Sequence, residues 1–438
     1  MREMKDSGIP WIGEIPSDWK ILRLKQLLAN GKDAIKVGPF GSQLSGSDFT
    51  NDGFWVYNQQ TVINHDFSKN DTFINHEKFN AMKSFQVRAS DILITTRGTI
   101  GKICRIPKNF HEGIIHPCII KFRVDDTKIL YNIIEMLFNN SDLVKNQLNY
   151  MSNATTIDVI YSSTLKNIYI PVAPIKVQRR IADYLDSKCA KIDSIKKNVE
   201  LEIEAMKQYK KSVITEAVTK GLDKNVEMKD SGIPWCPQIP EHWIPTNPKA
   251  LFHQKKERAR KNDKQLTASQ KYGIVFQDEF MKIENQKVVT VAKDFDILKH
   301  VEPNDFVISM RSFQGGLEFS KLSGCISSAY VMLIPNFNLV YPSFYKWFFK
   351  SDKYINAIQS TTNLIRDGQA MRFANFVLVP LFIIPLDEQR KIANYLDTKC
   401  AKIDSIIQKK QELLTNLDTY KKSLIYEYVT GKKEVPAV

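Results

Sequence analysis

Two stretches of the chain carry an apolar stripe at heptad spacing with nothing inside them to break a helix. Between Gln178 and Lys220 there is neither Pro nor Gly, and Leu185, Ile192, Val199, Met206 and Val213 recur at heptad spacing, with Ile195 and Tyr209 at d-like positions between them. A second stripe places Leu396, Ile403, Leu417 and Leu424 in line, with Ile406, Leu413 and Tyr420 between and Lys410 as an interruption. Pro174 and Pro385 stand just before the two stretches, Asp387 is a candidate N-cap, and Gly221 and Gly431 supply the stops. At 1.5 Å per residue, about forty residues make a rod of roughly 60 Å, longer than a helix of an ordinary globular core. A lone rod would leave its stripe in water, so the spacing predicts two helices packed on each other as an antiparallel coiled coil. The competing expectation is that each helix caps its own domain.

The remaining sequence reads as mixed α/β. Phe54–Tyr57, Ile92–Ile94, Ile114–Phe122, Phe306–Ile308 and Tyr330–Ile334 are apolar runs bounded by Gly, Pro, Asn or Asp, as strands are, and Leu130–Phe138 and Pro342–Phe349 have helical patterns. The chain is also written twice. Met4 to Trp11 (MKDSGIPW) returns letter for letter as Met228 to Trp235, each copy running through Ile-Pro to a second tryptophan, Trp19 and Trp243. Gln178 to Ile195 returns, nearly unchanged, as Gln389 to Ile406. Between these shared blocks the halves diverge, leaving only a faint skeleton that lines up Asp91 to Arg97 with Asp305 to Arg311 and Gly101 with Gly315. The predicted architecture is α+β and pseudo-two-fold: a variable domain over 1–175, a helix over 176–222, a second variable domain over 223–385 and a last helix over 386–438. Such a plan sets two different domains at a fixed separation.

Composition narrows the class. The 438 residues are too many for one ordinary core, and 43% hydrophobic with 25% charged residues is normal for a folded chain. Lys plus Arg number 62 against 48 acidic residues, a net charge of +14, which favours a polyanionic partner and a salt-sensitive encounter. No secretory h-region or membrane-length apolar run is visible, the cysteines form no CxxC pair, and no His/Cys set has zinc spacing, so a cytoplasmic chain without a metal is expected.

Candidate nucleic-acid contacts cluster in the variable domains. Arg97 begins a strand-to-loop step, Arg97 to Lys102, in which glycines admit close backbone approach, and Arg311 and Gln314 lie in its counterpart. Arg can grip guanine bidentately and Gln or Asn adenine, so Gln59, within Asn58 to Gln60, and Lys36, beside the Gly38 to Ser42 turn, join them. Lys249 to Lys264 is the densest basic stretch and contributes Lys255, Lys256 and Arg258 as phosphate candidates. Each competes with the bland reading of a polar turn or solvated surface. A methyltransferase Asn/Asp-Pro-Pro-aromatic loop, a cofactor-binding Gly-rich loop and a set of nuclease metal carboxylates are all missing; Asn247-Pro-Lys249 is not the first of these, and the nuclease-like Asp18-Trp-Lys20 has His242-Trp-Ile244 as its repeat partner, which marks the match as accidental.

The duplicated Ser-Gly-Ile-Pro-Trp-x3-Ile-Pro-x2-Trp openings, the duplicated Gln-Arg-x-Ile-Ala-x-Tyr-Leu-Asp helices and the Asp-Ile/Phe-Leu/Val-Ile turns together resemble the specificity subunit of type I restriction–modification systems over essentially the whole chain. The family has a Glu before the helix-starting Gln; Glu388 fits and Val177 departs. The resemblance implies that each variable domain is a target recognition domain reading half of a split site in double-stranded DNA. It implies a helical spacer that also carries contacts to two methyltransferase subunits. S-adenosylmethionine, ATP and Mg would then belong to the methyltransferase and restriction subunits, with no cofactor on this chain. Unlike domains imply unlike half-sites and a non-palindromic target. Two rivals remain at this stage: an enzyme with a hidden site, and a structural protein whose helical rod is the working part.

Overall fold

The computed structural model describes residues 2–31, 33–152, 159–269, 271–285, 297–308, 317–361 and 372–436. The chain divides into two units, one of 1–199 with 412–438, the other of 200–411. The long helices are Ile175–Lys220 and Leu386–Val429, and each contributes a stretch to both units.

Within each unit the two helix stretches run antiparallel. In the first, Lys196 Nζ donates to Asp418 Oδ1 at 2.5 Å, and Lys421 Nζ donates to both Asp193 carboxylate oxygens at 2.6 and 2.7 Å. In the second, Lys210 Nζ meets both oxygens of Asp404 at 2.7 Å, and Lys410 pairs with Glu202. Leu185, Ile192, Val199, Leu396 and Ile403 are buried, while Met206 and Leu417 are half-buried. The d-like residues do not join them: Ile195, Ile406 and Leu413 are 48%, 41% and 42% exposed, and Tyr209 and Tyr420 are also exposed. The stripe instead passes through the positions four residues on, where Ile203 and Cys400 are buried and Ile407 and Leu414 half-buried. That line is disguised in the sequence because Lys196, Lys210 and Lys421 occupy it, laying their methylene stems along the seam and carrying their ammonium groups out to carboxylates.

Each unit is built on one repeated sheet. In the first unit it is antiparallel with the order Ile35–Val37, Ile119–Phe122, Ile92–Thr95, Ile103–Arg105; in the second it is Phe252–Lys255, Val331–Pro335, Phe306–Ile308, Glu318–Phe319. The run predicted as one strand, Ile114–Phe122, is two: Gly113–Ile115 pairs in parallel with Phe54–Tyr57 in a further four-stranded sheet, and Ile119–Phe122 returns to the repeated one. The second unit has two-stranded ribbons beside its sheet instead, Leu266–Ser269 with Gly273–Phe276 and Lys299–Val301 with Gly324–Ile326. Leu130–Phe138 begins as the helix Tyr131–Glu135 and widens into the π-turn Met136–Asn140.

The repeated glutamine ties helix to domain. Gln178 is 1% exposed; its Oε1 accepts from Leu130 N at 2.9 Å and its Nε2 donates to the carbonyls of Lys128 and Ala173 at 2.9 and 2.8 Å. Gln389, fully buried, does the same with Tyr341 N and the carbonyls of Leu339 and Ile384, all at 2.8 Å. Only an amide supplies an acceptor and two donors on one planar head. The second tryptophan of each opening, Trp19 and Trp243, is buried beside a helix end, where Gly431, in the left-handed region at φ 74°, leaves no room for a Cβ against Pro16 and Trp19. Trp243 Nε1 donates to Glu388 Oε2 at 3.1 Å, and His242 meets the same oxygen at 2.7 Å. With Val177 in place of that glutamate, Trp19 Nε1 is buried without a partner.

Two outcomes are expected. Gln389→Ala strands one amide and two carbonyls in the core and should lower stability by about 3–5 kcal/mol in urea unfolding. Val177→Gln should raise it by about 1 kcal/mol by giving Trp19 an acceptor, Gln rather than Glu because Asp18 stands where His242 does; an unchanged midpoint would refute that account.

Candidate nucleic-acid interface

The aspartate shared by the two halves sits at the entrance to the third strand of each repeated sheet and is buried in both, Asp91 at 2% and Asp305 at 4% exposure. Each closes a tight turn whose preceding residue is left-handed, Ser90 at φ 70° and Asn304 at φ 78°. Asp91 Oδ2 accepts from Arg88 N and Asp305 Oδ2 from Glu302 N, both at 2.8 Å. The buried charges are balanced: Asp91 by a hydrogen bond from Arg123 Nε with Lys121 at 3.7 Å, Asp305 by Lys255 Nζ at 2.9 Å. Lys255 is therefore not at a DNA-facing surface. It is buried at the end of the strand Phe252–Lys255, on the face opposite Phe252 and paired in register with the buried Met332, and the aspartate makes its burial tolerable.

From that anchor the strand Ile92–Thr95 runs out to the Arg97 loop. Arg97 is exposed and bridges to Val159, and Gly98 and Gly101 are left-handed at φ 60° and 77°. A Cβ on Gly98 would lie 3.7 Å from Gln59 Oε1, so Arg97 and Gln59, 38 positions apart in sequence, sit in one neighbourhood. Gln59 opens the helix Gln59–Asn64, and Asn58 is its cap, its side chain accepting from Gln60 N and Thr61 N. Lys36 lies over the Phe85 ring at 4.9 Å.

Lys102 turns away from the loop surface and donates to Asn139 O at 2.9 Å. It lines a recess of about 360 Å³ with Lys145, Lys422, the Gly98–Gly101 backbone and the carboxylate of Asp142. Burial, then the neighbouring charges of Lys422 and Lys145, holds the Lys102 ammonium below its usual range. Among the described residues three ammonium groups face one carboxylate here, an arrangement suited to an anion. Lys145 and Lys422 are not legible as partners of Lys102 in the sequence because one comes from the helix Leu143–Ser152 and the other from the far end of the chain.

In the second unit the basic stretch is held by carboxylates. Arg260 donates to Glu257 and Glu302, each at 2.8 Å, and the fully buried His300 lies between Asp263 and Glu302, 2.7 Å from each. Lys256 and Arg258 remain exposed, with Arg258 bridging to the strand residue Lys299. Arg311 and Gln314 lie outside the described residues. No described helix is long and apolar enough to cross a membrane.

The model of the type I restriction modification DNA specificity domain matches residues 16–205. The chain is similar to the putative type I restriction enzyme MjaX specificity subunit of Methanocaldococcus jannaschii, 24% identical over 97% of this chain and 96% of that one. The type I restriction enzyme EcoBI specificity subunit of Escherichia coli is 21% identical over 65% of this chain and 62% of its own. Among solved structures, a chain from work on complex assembly and conformational transition of the type I R-M system matches with a TM-score of 0.69 at 15% identity, covering 96% of this chain and 99% of that one. The HsdS subunit from Thermoanaerobacter tengcongensis matches with a TM-score of 0.52 at 14% identity, covering 96% and 98%. At those identities the two structures speak for the fold.

Proposed function

This chain belongs to the type I restriction–modification specificity subunits, and from that premise we propose that it reads a two-part, non-palindromic DNA site on behalf of methyltransferase and restriction subunits and catalyses no step itself. The observation that carries the reading is a duplicated frame holding unlike domains. The same sheet order, the same buried aspartate and the same three-bond glutamine recur in both units, while the structure around each sheet differs. A frame kept constant under changing domains is what two separate reading tasks require.

Within this reading the parts have different jobs. Arg97 and Gln59 present bidentate donors and acceptors suited to base edges. Lys145 and Lys422, with Lys102 behind them, hold a backbone phosphate, which positions the duplex without specifying it. Lys256 and Arg258 serve the second domain in the same way. Two methyltransferase subunits supply S-adenosylmethionine chemistry, and restriction subunits supply ATP- and Mg-dependent cleavage.

Selection from a random DNA library by the complex of this chain with its methyltransferase is expected to enrich a motif of two separated parts. Exchanging residues 20–170 for another such domain should change one part only; a change in both, or no enrichment, would overturn the reading. Lys145→Gln and Lys422→Gln should weaken binding to all sequences alike. Each should also reduce the slope of log K against log salt by about 0.9 for every phosphate that is no longer neutralised.

A further inference from the structure

Two strands of the repeated sheet in the first unit end on the same side. Ile35–Val37 and Ile92–Thr95 flank Ile119–Phe122 and both run antiparallel to it, with Val37 opposite Ile120 and Thr95 opposite Ile119. The loops that follow them, Gly38 to Ser42 and Arg97 to Lys102, therefore leave the same end of the sheet, about 10 Å apart at a strand spacing of about 4.8 Å. The turn His116 to Cys118 is gripped by both. Thr96 donates to the Cys118 carbonyl through its N at 3.0 Å and its Oγ1 at 2.9 Å. Gly38 N donates to Ile119 O at 2.8 Å, and a Cβ on Gly38 would fall 2.2 Å from His116 O, so only glycine fits there.

The first of these loops holds a phenylalanine out in water. Gly38 and Pro39 are buried, and Leu44 is buried in the cluster of Val56, Ile74 and Phe79. Phe40, between them, is 75% exposed, more than any other large apolar side chain among the described residues. Its backbone is fastened on both sides: Phe40 N donates to Gln43 Oε1 at 3.0 Å, and Phe40 O accepts from Gln43 N at 2.8 Å and Leu44 N at 3.3 Å. A lone exposed apolar side chain is ordinary. A ring carried by a turn that is locked at its base, at the end of the sheet where Arg97 and Gln59 stand, is placed for a partner.

We propose that Phe40 packs on the C5-methyl group of a thymine in the major groove, within the half-site whose base edges Arg97 and Gln59 meet; this rests on the functional reading above. Bidentate pairing of Arg with guanine and of Gln with adenine takes place in the major groove, and the thymine methyl is the apolar mark that the same groove displays. A phenyl ring has neither donor nor charge, so it holds no phosphate and reads no polar edge; a methyl group is what it can recognise. At about 3.4 Å per base step the two loops stand about three base pairs apart, and a groove about 12 Å wide admits both. Insertion of the ring between bases as a wedge belongs to the minor groove, on the other side of the base pairs from the targets of Arg97.

The test uses the full chain in complex with its methyltransferase. In selection from a random DNA library, Phe40→Ala is expected to lose the preference for thymine at one position of one part of the motif and to keep the rest, and Phe40→Leu to retain most of that preference. On the enriched site, deoxyuridine in place of that thymine removes the methyl alone. It should weaken binding by the unaltered chain about three- to tenfold and leave binding by Phe40→Ala unchanged. Phe40→Ala should also leave the slope of log K against log salt as it was, because no phosphate contact is lost. Phe337→Ala removes another exposed ring, just past the strand Val331–Pro335 at the end away from Ile308, and should change none of these readouts. The deoxyuridine comparison is made on the unaltered chain and so stands even if a variant misfolds. An unchanged motif and affinity for Phe40→Ala overturns the inference alone. So does an equal loss on thymine and deoxyuridine sites, which would make the ring a wedge, and so does weakened methyltransferase binding with the motif intact, which would make it a protein contact. If the unaltered complex enriches no two-part motif, the functional reading falls and takes this inference with it.

Discussion

Everything the two domains do depends on how each is fastened to its helix, and the fastening is one amide side chain. Gln178 and Gln389 each satisfy a backbone N–H and two carbonyls from strands and loops that would otherwise meet the helix as unpaired polar groups in an apolar core. The geometry of those three bonds fixes the rotation of the helix about its axis as well as its position, because a planar head engaged on both sides cannot swivel. Large changes in the variable residues are tolerable provided the backbone at Leu130 and Tyr341 returns to the same place.

The helices themselves are held in a different way. Apolar packing along their stripe is thin, interrupted by lysines whose stems lie on it. The carboxylate pairs of Lys196, Lys210, Lys410 and Lys421 sit at the water boundary, where each contributes at most about 1 kcal/mol. Their role is register more than adhesion. Slipping one helix by a turn would set ammonium groups against apolar side chains and leave carboxylates without partners.

This division explains what the sequence could disclose. Repeats, helix bounds and most strands are visible because hydrophobic spacing and Gly/Pro punctuation are local signals. Heptad spacing misplaces the seam by one position, since a lysine stem that buries its methylenes reads as polar. Lys255 looks like a surface cation in a basic stretch because its partner, Asp305, lies 50 residues away. The recess around Lys102 needs Lys422, more than 300 residues on. The departure at Val177 is legible, but its consequence, an indole left without an acceptor at Trp19, emerges only once the helix end and the opening segment are brought together.

The partition of the chain also dictates an order of events during synthesis. The unit of 200–411 is a continuous stretch, whereas the other needs 412–438 to complete its helix pair and cover Trp19. On the ribosome the domain made first must therefore wait, its share of the first helix unpartnered, while the one made second closes as soon as its last turn emerges. Until the last residues emerge, the Leu185 and Ile192 face lacks Leu424, Ile425, Tyr428 and Val429, with which it shares its buried cluster.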